Sequence, residues 1–127
     1  GKFETYPDRK TGAKLGIYQS TIDEEYVPYI IPQDYGNHTD VRWLKIQDGE
    51  GHGLRFKAEK TMNFSYQKYS TDNMSRAVYT YQLKRSNTNT LNIDFVVSGV
   101  GGTAIRQLEK YRMKPSILDF GFTIKPF

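Results

Sequence analysis

The chain of 127 residues contains no cysteine. It therefore has no disulfide framework, no thiolate metal site and no thiol nucleophile, and its compartment stays open between cytoplasm and periplasm. It also lacks the run of about 20 apolar residues that a membrane-spanning helix needs, and no signal-peptide pattern opens it. The sequence predicts a soluble domain without a membrane partner.

Histidine is scarce as well, and the two histidines, His38 and His52, lie in glycine-bearing turns. Without cysteine or a spaced pair of acids, they fall short of a zinc site. Neither can be tied to the nucleophile elbow of a serine hydrolase. We therefore predict no catalytic residue, no metal and no cofactor in this chain.

The net charge is a modest +4, from 18 basic and 14 acidic residues, and the basic residues are scattered among acids rather than gathered in a block. The segment Lys57–Lys68 interleaves aromatic residues with lysines, as single-stranded nucleic-acid sites do. Glu59 and neutral polar residues interrupt this pattern, which is then typical of a solvated strand face. No nucleic-acid partner is predicted.

What the chain does contain is aromatic residues, 14% of the sequence with ten tyrosines, and no helical heptads. This composition is that of a β protein, and the length suits one domain over residues 1–127. The clearest hairpin runs from Val41 to Ile46, turns at Asp48–Gly53 and returns from Leu54, where apolar and charged residues alternate.

Further elements follow from local patterns. Ser70 to Met74 offers several N-caps for a short helix through about Val78, and Thr21 to Glu25 reads as a capped helical turn. The glycines after Ser98 predict a tight turn or bulge rather than a phosphate cradle, which would need a Gly-Lys-Ser/Thr sequence. Strand-like segments are Ala13–Tyr18, Tyr29–Ile31 between two prolines, Tyr79–Leu83, Leu91–Val97 and Ile117–Ile124.

Four blocks carry a resemblance to a known family. They are ETYPDRKTGAKLGIY from Glu4, YVPYIIPQDYGNHTDVRW from Tyr26, LNIDFVVSGVGG from Leu91 and YRMKP from Tyr111. In this order, and covering most of the chain, they resemble the C-terminal β-sandwich domain of family 2 β-galactosidases, the small-chain-like domain of these multidomain enzymes.

The resemblance implies an antiparallel β-sandwich of the galactose-mutarotase-like supersandwich type. In that family the ETYPDR-like segment lies in the interior of the final domain. We therefore expect residues 1–127 to be the C-terminal portion of that domain, a truncated sandwich with at most one short helix.

The resemblance also implies a function. The parent enzyme would hydrolyse terminal β-galactosides such as lactose with retention, using two glutamates in a separate barrel domain. The acids of this chain are consistent with catalysis in another domain, because none has an identifiable partner for the paired-carboxylate chemistry. The candidates are Asp23, Glu24, Glu25, Asp48 and Glu50, which look like solvated loop acids, and Asp94, which faces away from its apolar strand neighbours. This fragment alone is predicted to be inactive.

The partners implied are the other domains of the parent β-galactosidase and its galactoside substrate, and a homo-oligomeric parent is left open. The domain would pack on its neighbours and help to wall the galactoside pocket through the loop after Gly102. Some family members place a tryptophan a few residues beyond these glycines as a platform under the sugar. Here Arg106 falls near that place, and a guanidinium can also stack on or hydrogen-bond a sugar. The candidate contacts in this loop are Thr103, Ala104, Ile105 and Arg106.

A second interpretation is a stand-alone carbohydrate-binding module. Trp43, Tyr35 and His38 would form its sugar-stacking surface, because aromatic faces offer rigid contact area with a polar rim. A single tryptophan in a β-sandwich is more often core, so we expect Trp43 to be buried. A weaker alternative is a protein-interaction sandwich with an exposed edge strand.

Overall fold

The computed structural model describes residues 1–102 and 104–127. Within these ranges it shows one short α-helix and four strands. They are β1 (His38–Gln47), β2 (Gly53–Gln67), α1 (Thr71–Arg76), β3 (Thr90–Asp94) and β4 (Phe122–Pro126). The prediction of an all-β domain with at most one short helix is confirmed.

Strand β2 is the centre of a single antiparallel sheet. β1 pairs along one of its edges, while β4 pairs with residues 54–58 and β3 with residues 63–67. The predicted hairpin is confirmed, and its turn is closed by Asp48, whose Oδ1 accepts the N–H groups of Glu50 and His52 at 2.9 and 3.0 Å. The four strands of the described residues belong to this one sheet, so the sandwich type stays a prediction.

One face of the sheet carries the core. Phe56, Ala58 and Met62 of β2 are 1–5% exposed. Partly buried apolar side chains pack against them, namely Val41, Leu44, Ile46, Leu91, Ile93 and Phe120. The alternation along β1 and β2 produces this face, because side chains two residues apart on a strand point to the same side.

Helix α1 begins where the sequence predicts. The Ser70 hydroxyl accepts the N–H of Asn73 at 3.1 Å, which is an N-cap, and the helix ends at Arg76, two residues before the predicted end. The predicted capped turn is also present, since Thr21 N–H donates to the Glu24 carboxylate and Glu24 N–H to the Thr21 hydroxyl. In the described part of the chain, no helix is long and apolar enough to cross a membrane.

Three strand predictions are wrong, and a shared reason explains them. Ala13–Tyr18 and Tyr29–Ile31 form no strand, and Tyr79–Leu83 contains the 3₁₀ turn Thr80–Gln82. None of these segments pairs with any strand of the described sheet. Because a strand is stable only when its backbone groups find a ladder partner, local extended propensity is not sufficient.

Two further strands exist but are shorter than predicted. The strand from Leu91 ends at Asp94 rather than Val97, and the final strand begins at Phe122 rather than Ile117. Both pair with β2, β4 with residues 54–58 and β3 with residues 63–67, and each ladder stops at the stretch 59–62 that lies between them.

Candidate functional site

The glycine loop after β3 is held in place by one carboxylate. Asp8 Oδ1 accepts the N–H of Val100 at 3.0 Å, and Oδ2 accepts the N–H of Gly101 at 2.8 Å. The preceding amide, that of Gly99, donates to the carbonyl of Tyr111 at 2.7 Å. Three successive N–H groups are therefore bound by the protein itself, which leaves none of them for a phosphate.

Asp8 is suited to this role as an anion. Partial burial acts to raise its pKa, but the hydrogen bonds from Gly101 and Val100 outweigh it and hold the pKa of the carboxyl below its usual range. Backbone N–H groups favour the charged form of a carboxylate that accepts them. Asp8 is therefore ionised at neutral pH and binds the loop through charge-assisted hydrogen bonds.

Two positions of this loop require glycine, and the physical reason differs between them. A Cβ on Gly99 would lie 2.6 Å from Cγ of Asp8. Gly101 has φ +66°, and a Cβ there would lie 2.5 Å from the carbonyl oxygen of Ile105. The first glycine therefore admits the carboxylate, and the second makes the turn, as the predicted tight turn requires.

The loop tip is exposed. Gly102 and Ile105 exchange two backbone hydrogen bonds at 3.0 and 3.1 Å, so the tip is a closed turn. Ala104 lies in the left-handed region with φ +61°, and Ala104, Ile105 and Arg106 all face solvent. The fourth predicted contact, Thr103, lies outside the described residues. The loop thus presents a guanidinium and an apolar side chain on a backbone that Asp8 fixes at its base.

Asp8 is itself positioned by a polar network centred on Glu4, whose side chain is 7% exposed. Glu4 Oε1 accepts Arg9 Nη2 at 2.6 Å and the hydroxyl of Tyr29. Its Oε2 accepts the N–H of Gly36 at 2.9 Å. Glu4 therefore joins the ETYPDR segment to the YIIPQDYG segment.

The predicted sugar contact Tyr35 lies inside this framework. It is 1% exposed, its carbonyl accepts Gln67 Nε2 at 2.8 Å, and its hydroxyl accepts the N–H of Lys68 at 3.3 Å. Burial raises the pKa of Tyr35 to about 12. Its ring packs edge-on against Tyr26 at 5.1 Å. Tyr35 therefore anchors the segment that precedes β1 to β2 and offers no free face to a sugar.

His38 is buried too, and it forms a pair that sequence reasoning missed. Its Nε2 lies 2.6 Å from Glu25 Oε2, and its ring stacks on Phe64 with centroids 4.8 Å apart. The prediction that Glu25 is a solvated loop acid is wrong, because its side chain is only 11% exposed. Periodicity could not reveal the pair, since Glu25 lies in a turn 13 residues away.

The His38 pair is not a catalytic triad. Ser20 Oγ also binds Glu25, so the carboxylate lies between the hydroxyl and the imidazole. A serine nucleophile needs the imidazole in the middle, as its proton acceptor. Here the ionised carboxylate accepts from both neighbours. The role that the geometry supports is to fix the 20–25 turn against β1.

Trp43 lies apart from Tyr35 and His38. It is 38% exposed on the sheet face opposite the core, where Arg55 covers its ring at 5.6 Å. The expectation of a buried tryptophan is wrong, because Leu44 rather than Trp43 lies opposite Phe56 in the register and shares its face. The three aromatic residues predicted as a platform therefore do not form one exposed surface.

We expect Trp43→Ala to lower the free energy of unfolding by about 1–2 kcal/mol, less than the 3–5 kcal/mol of a fully buried aromatic residue. The ring contributes only partial burial and its contact with Arg55. Urea unfolding of the chain measures the difference, with Trp43→Phe as the control that keeps an aromatic ring. A loss of 3 kcal/mol or more would contradict this placement.

Among the remaining acids, the carboxylates of Asp48 and Glu50 come within 4.8 Å of each other, on the exposed hairpin turn. Asp23 binds Lys68 and Arg85 at 2.9 and 3.0 Å. Partial burial, and secondly the charge of Asp34, raise the pKa of Asp94. The absence of catalytic residues stays a prediction.

The hairpin turn brings three possible metal ligands together. Side-chain ligand atoms of Asp48, Glu50 and His52 lie within 4.8 Å of one another, and all three residues are exposed. Sequence reasoning missed this grouping, although all three lie in one DGEGH turn. Because Asp48 closes the turn through Oδ1, we assign the grouping to turn geometry, and the absence of a metal also stays a prediction.

Comparison with known proteins decides the family. The sequence model described as "Beta galactosidase small chain" matches residues 1–124. The chain belongs to this family. It is 37% identical over 102 residues to a β-galactosidase of Priestia megaterium and 36% identical over 128 residues to one of Kluyveromyces lactis, which cover 80% and 98% of the chain. A β-galactosidase of Bifidobacterium adolescentis, BgaC, is 38% identical over 105 residues, again 80% of the chain.

The small-chain match comes with a large difference in length. The chain spans 10–12% of the length of these curated relatives. That proportion fits one domain of a β-galactosidase. The resemblance drawn from the four sequence blocks is therefore confirmed at the level of the family.

Proposed function

We propose that this chain is the non-catalytic last domain of a retaining β-galactosidase of glycoside hydrolase family 2, which hydrolyses terminal β-galactosides such as lactose. In this proposal the catalytic glutamates lie in another domain. The internal engagement of the buried acids supports it, because Glu4 and Glu25 both bind groups of this chain. The paired carboxylates of a retaining glycosidase must instead face the substrate from both sides.

The proposed role of the domain is to wall the galactoside pocket with the loop from Gly99 to Arg106. The observation that carries this role is the fixed base of the loop, where Asp8 binds two successive amides while the tip stays exposed. A loop held in this way can present Arg106 to a neighbouring domain with little loss of backbone entropy. The guanidinium would donate to a sugar hydroxyl or stack on the ring.

The test is steady-state kinetics of the full-length enzyme with an aryl β-galactoside. We expect Arg106→Ala to raise KM about 5–10-fold with a smaller change in kcat, because one hydrogen-bonding side chain contributes roughly 1 kcal/mol to binding. Arg106→Trp should recover part of the loss through ring stacking. The control is Lys110→Ala, which removes another exposed positive charge four residues further along the chain.

An unchanged KM in Arg106→Ala would contradict the wall role. The domain assignment has its own test, because the purified 127-residue chain should show no turnover of the aryl galactoside. Sustained turnover by that chain would contradict the assignment of catalysis to another domain.

The alternative, a stand-alone carbohydrate-binding module, receives less support. Its proposed platform is divided, with Tyr35 and His38 at 1% and 7% exposure and Trp43 on the outer face beneath Arg55. Titration of the chain with galactose or lactose distinguishes the two functions, since such a module would bind sugar by itself.

A further inference from the structure

The face of the sheet opposite the core collects positive charge, and we call it the basic face. It is defined by Lys45, Arg55, Lys57 and Lys125, all exposed, together with the aromatic residues Trp43 and Phe127. In the register, Lys45 lies opposite Arg55, and Arg55 lies opposite Lys125. Three cations thus form one row across β1, β2 and β4. Lys57 follows in the next row, opposite Trp43.

This arrangement has an electrostatic cost inside the chain. Like charges directly opposite each other on a sheet repel. None of the ion pairs found among residues 1–102 and 104–127 includes any of the four cations. Two of them rest on aromatic rings instead, Lys45 over Phe127 at 4.6 Å and Arg55 over Trp43 at 5.6 Å. The rings orient these charges without neutralising them.

The four cations of the basic face equal in number the excess of basic over acidic residues in the chain. With 18 basic and 14 acidic residues the net charge is +4, and without these four cations the counts are 14 and 14. The prediction that basic residues are scattered holds along the sequence but not in the fold. Strand pairing gathers residues that lie up to 80 positions apart, which no linear charge pattern could show.

We propose that the basic face is an interaction surface that docks against an acidic protein surface in the rest of the full-length protein. The first support is charge complementarity, since an uncompensated row of cations gains most from carboxylates that become desolvated beside it. The second is that the curated relatives are about eight times as long as this chain, since 102 and 105 aligned residues make up 10% of each. The proposal rests on the chain being one domain of a longer protein and not on the role of Arg106.

The observations favour a protein over a nucleic acid. Sites for single strands combine a positively charged groove with aromatic faces that are free to stack on bases. The basic face lies on a sheet rather than in a groove, and Arg55 covers the ring of Trp43. The choice rests on the flat shape of the face and on the covered ring, because lysine, which supplies three of the four cations, is itself depleted at protein interfaces.

The first experiment is carbodiimide coupling of lysines to carboxylates in the full-length protein, followed by mass spectrometry. We expect Lys57 or Lys125 to couple to aspartates or glutamates outside residues 1–127. We also expect both lysines to be acetylated at least 10-fold more slowly than Lys14 and Lys84, which lie in exposed loops. Acetylation at equal rates, or coupling only to acids within residues 1–127, would overturn the proposal.

A charge-reversal variant tests the same surface independently. Lys57→Glu with Lys125→Glu removes the two coupling amines themselves, so the readout is Lys45 on the same face, which should be acetylated slowly in the parent and at least 10-fold faster in this variant. Lys14→Glu with Lys84→Glu makes the same change in net charge elsewhere and should leave Lys45 protected. If the double variant instead loses binding to RNA or to anionic lipid vesicles while its parent leaves both lysines freely labelled, a polyanion partner replaces the acidic protein surface. Neither the labelling nor the coupling depends on KM. The docking proposal can therefore fail while the Arg106 test succeeds.

Discussion

Glu4→Gln is expected to lower the free energy of unfolding by about 2–4 kcal/mol, because it leaves donors without an acceptor in a nearly buried site. The carboxylate accepts Arg9 and Tyr29 on one oxygen and Gly36 N–H on the other. A glutamine has only one oxygen, so its NH₂ group must face donors on one side. Urea unfolding of the chain gives the difference, and Glu50→Gln, an exposed acid at 85% side-chain exposure, is the control.

The same variant tests whether the Glu4 network stabilises the hydrogen bonds between Asp8 and the glycine loop. Glu4 fixes the segment that carries Asp8, and Asp8 holds the amides of Val100 and Gly101. If the two are coupled, Glu4→Gln should speed hydrogen exchange of these two amides as well as that of Gly36. Faster exchange at Gly36 alone would show that Asp8 holds the loop independently of Glu4.

The elements that sequence analysis predicted correctly have strong local signals. The hairpin follows from alternating residues around the Asp48–Gly53 turn, and helix α1 begins at a Ser70 cap. The wrong strand at Tyr29–Ile31 also had a local signal, because the prolines on either side favour extended backbone. What fixes that segment is a hydrogen bond from Tyr29 to Glu4, 25 residues away, rather than a ladder.

The site illustrates the same limit. The glycine loop and its turn were predictable from composition, and the resemblance directed attention to Arg106. The carboxylate that holds the loop was not predictable, since Asp8 and Gly101 are 93 residues apart and meet only in the fold. Likewise, burial of Tyr35 and His38 depends on long-range partners in β2 and in the 20–25 turn.

In the proposed wall role, the buried network and the exposed loop tip have different tasks. Glu4, Asp8 and Tyr35 bind groups of this chain and so orient the segments that carry them. Arg106 is exposed on the tip of the loop that Asp8 fixes. A site assembled between domains needs this combination, because binding geometry must be set before the partner surface arrives.

Glu25→Gln is expected to lower the free energy of unfolding by about 2–3 kcal/mol at neutral pH, because it weakens a mostly buried pair. His38 Nε2 and Ser20 Oγ both bind the Glu25 carboxylate. Burial acts to raise its pKa, but the hydrogen bonds from His38 and Ser20 prevail and hold the pKa of Glu25 below its usual range.

The sign of the pH dependence follows from this lowered pKa. The stabilisation from Glu25 is fully present above the pKa of the unfolded carboxyl, about 4.3, and is lost as pH falls through the lower pKa of the folded state. The difference in stability between the parent chain and Glu25→Gln should therefore shrink between pH 5 and pH 2. Urea unfolding across this range measures it, with Glu24→Gln as the exposed neighbour whose difference should stay small. A difference that stays constant down to pH 2 would contradict the prediction, because it would mean that the ionised carboxylate stabilises the fold no more than the protonated one.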